Sequence, residues 1–506
     1  MKDVVTSAER RQAYVDEGLW TDDTLASLFE ASAESHPTAL AVVDGSTGRQ
    51  VTYGQLLQDV RTLSSYYAAH GIEPGDTISV QLPNGYAAVV AHMAAFYSGA
   101  VLNPLLPNYR THELRHILSV GRTKLLVTPA TYRSFDFPAM VEELKPGLPC
   151  LRHHLVADAE PDVRAAENLE GVLQGPAQEF ARVKRPSDEV SEVIFTSGTE
   201  AAPKAVMHTE KTLGFAIRNT ISWLGMGASE VIWMPSPVGH STGLNFGIRM
   251  ALSNGYPLVL QDRWDPEQAV DLIGRYRCTY TLASTTFLTD LLRASVSDPG
   301  RVGSLRLFCC GGAPVPPALV AEAESIGIGV LRVYGSTELI LASWTRPDAP
   351  VERRTQTDGS VMAHVELAVW DDQGNVVAPG EVGELVARSP ATAVGFAFDQ
   401  DRTKTTFLPG GWVRSGDLVR VENGDLTVVG RKKEIIIRGG LNIAPRDIES
   451  ALLQINGVAS VAVIGLPDDR LGEIACACLI MDEGVDPIGV DETSRFLTEH
   501  AMARYK

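Results

Sequence analysis

Cysteine is scarce in this chain and badly spaced for metals or redox chemistry. The six cysteines stand at positions 150, 278, 309, 310, 476 and 478, and no pair has C-x-x-C spacing. That excludes the common zinc and dithiol motifs. Cys309 and Cys310 continue the apolar Leu307-Phe308 and are expected to be buried small hydrophobes. Cys476 and Cys478 are expected to pack on one face of a strand. Positive charge is also short. Lys and Arg number 44 against 62 Asp and Glu, leaving a formal charge of −18. This argues against nucleic acid or an anionic membrane as the main partner. It does not bar a small phosphorylated ligand, which local lysines and backbone amides can bind. No long apolar run is clean enough to span a bilayer. The best candidate, Tyr86 to Leu106, is interrupted by His92, Ser98, Gly99, Asn103 and Pro104. A buried helix ending near Gly99, then a short strand, fits better. The first residues carry Glu9, Arg10, Arg11, Asp16 and Glu17 rather than an apolar signal core. Repeats and low-complexity segments are missing too. The expectation is a reduced cytoplasmic protein.

What is present is ordinary globular material. Hydrophobic residues make up 44% and charged residues 21% of 506 positions. That length suggests two or three domains. Thr52-Tyr53-Gly54-Gln55 has the form of a capping box. Leu56, Leu57, Val60, Leu63 and Tyr67 then recur at helical spacing, with Gly71 as a stop. Strands are predicted at 77–82, 100–103 and 124–128, with helices at 86–98 and 112–118 between them. Strands alternating with helices predict an α/β fold of parallel layers. Residues 151–186 are polar and weakly periodic and are expected to be an irregular connection. Further strands are predicted at 231–237, 305–309 and 330–334, with a helix from Pro316 through Glu324. Segments 366–370, 383–387 and 425–430, joined by Gly- and Asp-containing turns, suggest a small β-subdomain. Beyond it, Pro445 suits a first helical position, and Ile448, Leu452 and Ile455 give that helix its buried stripe before Asn456-Gly457. Strands at 458–465 and 473–481 and a helix at 494–504 complete a small α/β unit.

The most informative stretch is Val193-Ile194-Phe195-Thr196-Ser197-Gly198-Thr199-Glu200-Ala201-Ala202-Pro203-Lys204. A buried strand runs into small hydroxyl residues, glycine, proline and lysine. Such a loop can turn N–H groups and hydroxyls toward an anion, with the lysine as a mobile counter-charge. It is not a Walker A loop, because Pro203 and Ala205 replace the Gly and Ser/Thr around the lysine. The same residues also make ordinary surface turns.

The loop resembles the phosphate loop of the adenylate-forming superfamily, which contains acyl-CoA synthetases, carrier-protein adenylation domains and firefly-type luciferases. Tyr334-Gly335-Ser336-Thr337-Glu338, Ser415-Gly416-Asp417, and Arg431-Lys432-Lys433-Glu434 leading to Gly439-Gly440 follow in that family's order. The resemblance covers about residues 25 to 506. It implies a large N-terminal domain, 1–430, holding the ATP and acyl sites, and a mobile lid, 431–506. By resemblance, Thr196, Ser197, Gly198 and Thr199 hold phosphates together with Lys204. Gly311, Gly312, Ala313 and Pro314 edge the adenine and acyl sites. Tyr334 stacks on the purine, Gly335 and Ser336 complete that strand end, and Thr337 bonds a phosphate. Glu338 holds Mg²⁺, although a carboxylate there could instead start a helix. Asp417 takes the ribose hydroxyls and Arg431 lies near the ribose. Lys433 is the hinge. Arg438, Gly439 and Gly440 line the tunnel for the pantetheine arm of CoA.

His240 and Ser241, with Gly312 and Gly335, are expected to line the acyl pocket. A histidine between Pro and Gly residues also suits a simple turn. Ser241 stands about where amino-acid-activating relatives carry an aspartate, so a plain carboxylic acid is favoured over an amino acid. The resemblance therefore implies an ATP-dependent acyl-CoA ligase for a medium-chain, cyclic or aryl acid, with possible homodimerisation. A stand-alone enzyme loading a carrier domain, or a non-catalytic nucleotide- or acyl-binding relative, are the rivals. Two departures stand out. Adenylating relatives carry a Thr-x-x-Gly-Lys stretch beyond a segment like Ala503-Arg504-Tyr505-Lys506, and Lys506 is not that lysine. Glu200 replaces a usual Thr or Ser. Two like charges about 4 Å apart repel by about 4 kcal/mol at an effective dielectric of 20. Glu200 is thus expected to turn from the phosphates or to pair with a cation.

Overall fold

The computed structural model describes residues 6–158, 167–176, 178–196, 203–311, 315–438, 441–468, 470 and 472–499. Two sheets form the large body. The first has seven strands, and its centre runs parallel: Thr77–Val80 lies between Val101–Pro104 and Thr123–Pro129. Val190–Thr196 joins it beside Val101–Pro104, and Lys204–Thr209 returns antiparallel to Val190–Thr196. In the second sheet, Ile232–Met234, Tyr280–Ala283, Leu307–Gly311 and Gly329–Tyr334 are parallel neighbours. This sheet does not end there. It continues through short antiparallel strands into Asp425–Arg431, Trp412–Glu422, Val382–Arg388 and Glu366–Trp370. The expected β-subdomain is therefore hydrogen-bonded to the parallel sheet as one fourteen-stranded surface.

The period-two alternation of each strand sorts side chains into different cores. Leu307 and Cys309 face a core shared by both sheets and the helices Tyr53–Ala69, Tyr86–Tyr97 and Glu210–Leu224. Phe308 and Cys310 face the opposite side, against the helices Pro266–Tyr276 and Thr285–Ser295. Burying a Leu or Phe stabilises by about 1.5–3 kcal/mol, so these two layers carry most of the fold's cohesion. Burial pushes both thiols upward, Cys310 to about 12, and neither is a nucleophile at neutral pH. Thr52 and Gln55 form the expected capping box of Tyr53–Ala69. The Tyr86 helix ends at Tyr97, and no described helix is long and apolar enough to cross a membrane.

Several expectations need correcting. Residues 151–186 are not wholly irregular. His153–Ala157 is a parallel strand beside Thr123–Pro129, and Leu169–Gln174 is a short helix. The strand was hidden because two histidines look polar. His154 is in fact buried, and its Nε2 lies 2.8 Å from Thr128 Oγ1. Desolvation lowers its pKa to about 4, so the ring is a neutral core group. Cys476 and Cys478 do share a face of Gly472–Met481, but Cys478 is exposed and Cys476 only half-buried. The helix at Pro445 stops at Leu452, where Asn456-Gly457 had suggested a longer run. The last described helix is Val490–Glu499, earlier than the expected 494–504. The C-terminal strands form a separate four-stranded antiparallel sheet.

Candidate active site

Parallel strands end together, and ligands bind beyond those ends. Leu307–Gly311 and Gly329–Tyr334 pair in register, with Gly311 opposite Val333, so Gly311 and Tyr334 emerge side by side. Gly335 follows at a point that admits no side chain. A Cβ there would lie 2.1 Å from the Ile340 carbonyl oxygen. The chain folds back tightly through Ser336, whose carbonyl accepts from Ile340 N at 2.7 Å. Ile340 adopts φ 58°, a conformation rare for a β-branched residue. No helix starts at this point, so the alternative role of Glu338 as a helix-start carboxylate is ruled out.

Three elements pin the turn. His208 Nε2 lies 2.7 Å from the Thr337 carbonyl oxygen. His208 is fully buried, and desolvation lowers its pKa to about 4. A neutral ring with a carbonyl acceptor carries its proton on Nε2, and Nδ1 lies 3.1 Å from Thr212 Oγ1. Ala393 N donates to the Glu338 carbonyl at 2.8 Å. Lys204 Nζ stands 3.9 Å from Glu338 Oε1 and 5.7 Å from the centre of the Phe396 ring. A lysine and a carboxylate from distant stretches thus meet at one strand end. Among the described residues no group of three or more His, Cys, Asp and Glu could hold a metal. A single carboxylate suits Mg²⁺ that takes its other ligands from phosphate oxygens and water.

Beside the turn lies a cavity of about 650 Å³, lined by Tyr334, Gly335, Asp417, Arg431, Lys433 and Arg446 among others. Asp417 and Arg431 are direct cross-strand partners, with Arg431 Nε 3.3 Å from Asp417 Oδ1. Gly416 at φ 74° falls in the register shift between its strand and Val382–Arg388. The Tyr334 hydroxyl donates to Asp417 Oδ2 at 2.6 Å. Burial pushes the Asp417 carboxyl above its usual range, while the Tyr334 bond and the Arg431 charge pull it back. A carboxylate has about four acceptor sites, so Asp417 can still receive hydroxyls from a ligand in the cavity.

The turn after Arg431 places Lys433 at the cavity and Lys432 against Glu384 and Asp372, at 3.3 and 2.8 Å. Arg438 closes the strand Ile436–Arg438 and pairs with Gly472. Ser197, Gly198, Thr199, Glu200, Gly312, Ala313, Pro314, Gly439 and Gly440 lie outside the described residues. Thr196 is described and ends its strand.

His240 and Ser241 follow the carboxyl end of Ile232–Met234. His240 caps its own turn, Nδ1 accepting from Thr242 N at 3.2 Å. Its side chain is accessible but set among protein atoms, and desolvation lowers its pKa. The capping bond assigns the proton of the neutral ring to Nε2. Beneath Ser241 lies a buried polar cluster that the motifs did not reveal. Glu192 is fully buried, and Asn245 and Arg249 are 1% and 2% exposed. Arg249 makes a two-pronged pair with Glu210, at 2.8 and 3.1 Å. Burial raises the Glu192 pKa to about 7, and Arg249 and the Asn245 hydrogen bond oppose the rise. A signal was available: Glu192 is the one charged residue in the strand Val190–Thr196.

The chain matches the AMP-binding enzyme family over residues 29–397 and the AMP-binding enzyme C-terminal domain over 447–505. It is similar to the medium-chain fatty-acid–CoA ligase of Escherichia coli K12, with 34% identity over 98% of this chain and 88% of that protein. It is also similar to a salicyl-AMP ligase / salicyl-S-ArCP synthetase of Mycobacterium tuberculosis, at 31% identity over 98% and 88%. A crystal structure of an anthranilate CoA ligase in complex with anthranoyl-AMP superposes with a TM-score of 0.87. At 21% identity over 96% of this chain and 92% of that one, it supports the fold.

Proposed function

The chain belongs to the AMP-binding enzyme family, and from that premise we propose that it is an acyl-CoA ligase. It activates a medium-chain, cyclic or aryl carboxylic acid with ATP and passes the acyl group to CoA. The observation that carries this reading is the joining of Tyr334, Asp417 and Arg431 around one cavity, next to the Lys204–Glu338 pair. Residues 1–430 are the body and 431–506 the lid.

A carboxylate is a poor electrophile, because its charge is delocalised and repels nucleophiles. Its oxygen attacks the α-phosphorus of ATP, pyrophosphate leaves, and the resulting acyl-adenylate is open to a thiol. Asp417 takes the ribose hydroxyls, and the Tyr334 bond and the Arg431 charge oppose the upward push of burial on its carboxyl. Tyr334 presents its ring to the purine, its orientation locked by the hydroxyl bond to Asp417. Lys204, with Thr196 and the loop 197–199, offsets phosphate charge as the bond to pyrophosphate breaks. Bound Mg²⁺, held by Glu338, supplies further charge neutralisation of the phosphates. Thr337 bonds a phosphate from a turn braced by His208. His240 and Ser241 border the acid. The lid then turns about Lys433, and Arg438, Gly439 and Gly440 admit the pantetheine arm, so that the CoA thiol attacks the carbonyl and AMP leaves.

A second reading has support from one relative, named both as a salicyl-AMP ligase and as a salicyl-S-ArCP synthetase. In that reading a carrier-bound thiol replaces CoA. The test is purified protein with ATP, Mg²⁺ and a panel of acids. We expect AMP and pyrophosphate in equal amounts, dependent on acid, and consumption of CoA thiol. Acid-dependent adenylate without CoA consumption, with transfer to a phosphopantetheinyl protein, would favour the second reading. No acid-dependent AMP would sink both.

A further inference from the structure

Asn245 sits where the two faces of its amide can be assigned without ambiguity. Arg249 Nε reaches it at 2.9 Å, and a guanidinium can only donate, so Asn245 Oδ1 faces Arg249. The amide nitrogen therefore faces the other way. Nδ2 donates to Glu192 Oε1 at 2.9 Å and to Ser241 Oγ at 3.3 Å. Glu192 accepts in either protonation state through Oε1. The consequence falls on Ser241. Its oxygen receives a hydrogen bond from below, so its own O–H is left to donate elsewhere. Among the described residues no acceptor is recorded for that proton. Ser241 follows the carboxyl end of a parallel strand, beside His240, where ligands of such sheets bind.

The supporting frame is built to hold this polarity. Arg249 is clamped by both oxygens of Glu210, and Glu210 Oε2 also accepts from Leu25 N at 2.7 Å. Asn245 and Arg249 lie on a π-helical stretch, Leu244–Arg249, a backbone form frequent at functional sites. Glu192 Oε2 has no hydrogen-bond partner and stands 3.6 Å from Arg249 Nη2. Well-packed apolar residues would cost less here than a buried, half-satisfied acid. We propose that Asn245, oriented by Glu192 and Arg249, is a positioning residue that sets Ser241 as a hydrogen-bond donor to an oxygen of the substrate acid. The oxygen is either in the carboxylate or on a neighbouring substituent. This rests on the acid-activating reading above.

Acid-dependent ATP–pyrophosphate exchange separates KM for the acid from KM for ATP. The probes are octanoate, cyclohexanecarboxylate, benzoate and 2-methoxybenzoate. Asn245→Asp offers acceptors on both sides and so turns the Ser241 proton inward. We expect it to raise KM for the acid about tenfold, as Ser241→Ala does, the scale of one lost hydrogen bond. KM for ATP stays within about twofold of the wild type. In the double variant the effects do not add, because both remove the same bond. Glu192→Leu loses acid affinity as well, and Glu192→Gln, which keeps an acceptor oxygen, recovers most of it. Thermal melting checks that each variant is folded. Equal losses with benzoate and 2-methoxybenzoate assign the acceptor to the carboxylate, and a loss confined to 2-methoxybenzoate assigns it to the substituent. An unchanged KM for the acid in Asn245→Asp, additive effects in the double variant, or equal shifts in both KM values would overturn the proposal. A wild-type protein that exchanges pyrophosphate with none of these acids would overturn the proposed activity and this inference with it.

Discussion

Asp417 shows how one side chain can be tuned by opposing effects. Burial raises its pKa, and the Tyr334 hydroxyl and Arg431 lower it again. Tyr334→Phe removes one of the two stabilising partners while keeping the ring. The Asp417 carboxyl then moves further up. If the ionised form binds ribose, the acid limb of kcat/KM for ATP moves to higher pH, and KM for ATP near neutrality rises about tenfold. A pH profile of exchange activity reads both. An acid limb that stays in place would separate Asp417 from nucleotide binding. Part of this pair was legible in the sequence, since Ser415-Gly416-Asp417 and Arg431 both stand out as motifs. Their direct contact was not, because cross-strand register depends on how many residues the intervening turn takes up.

The tight turn after Gly329–Tyr334 is the element on which the site depends. Gly335 leaves no room for a Cβ, which would press on the Ile340 carbonyl. We expect Gly335→Ala to destabilise the protein by about 1–3 kcal/mol, the range of overpacking in a closed site. Glu338 would shift with the turn, and exchange activity would fall further than stability does. Denaturant melts beside activity assays check this, and an unchanged melt would show that the turn can relax. The glycine was visible as part of a motif, and its steric reason was not. Elements of other kinds were hidden for other reasons. The strand His153–Ala157 carries His154, which is buried against Thr128, and the Glu192 cluster draws on residues from Leu25 to Arg249. Periodicity within one segment cannot report such partners.

Among the described residues, polar contacts between the body and the proposed lid include Arg293 Nη2 with Asp482 Oδ1 at 3.1 Å. Arg446 Nη2 lies 3.0 Å from Asp358 Oδ1, at the rim of the cavity. Asp358 is also held within the body by Arg332 at 2.5 Å and by Val428 N at 2.8 Å. Losing Arg446 therefore leaves no orphaned buried charge, which makes the contact easy to release. Arg446→Ala is expected to leave the melting temperature of the body nearly unchanged. It should speed tryptic cleavage after Lys432 or Lys433 several-fold and alter the ratio of adenylate formation to thioester formation. Limited proteolysis with and without ATP measures this. Cleavage at the wild-type rate would mean that other contacts hold the lid.

Alternating helix and strand patterns and four ordered motifs suffice for the α/β class and the family. That information is local: each motif is a short run whose chemistry can be read residue by residue. Tertiary structure alone decided which of those runs touch. It joined the β-subdomain to the parallel sheet, brought Lys204 to Glu338 and Tyr334 to Asp417, and assembled a buried acid, amide and guanidinium beneath Ser241. The physical reason is that burial and hydrogen-bond polarity belong to pairs of groups brought together by folding, and a linear order of residues carries no distance between them.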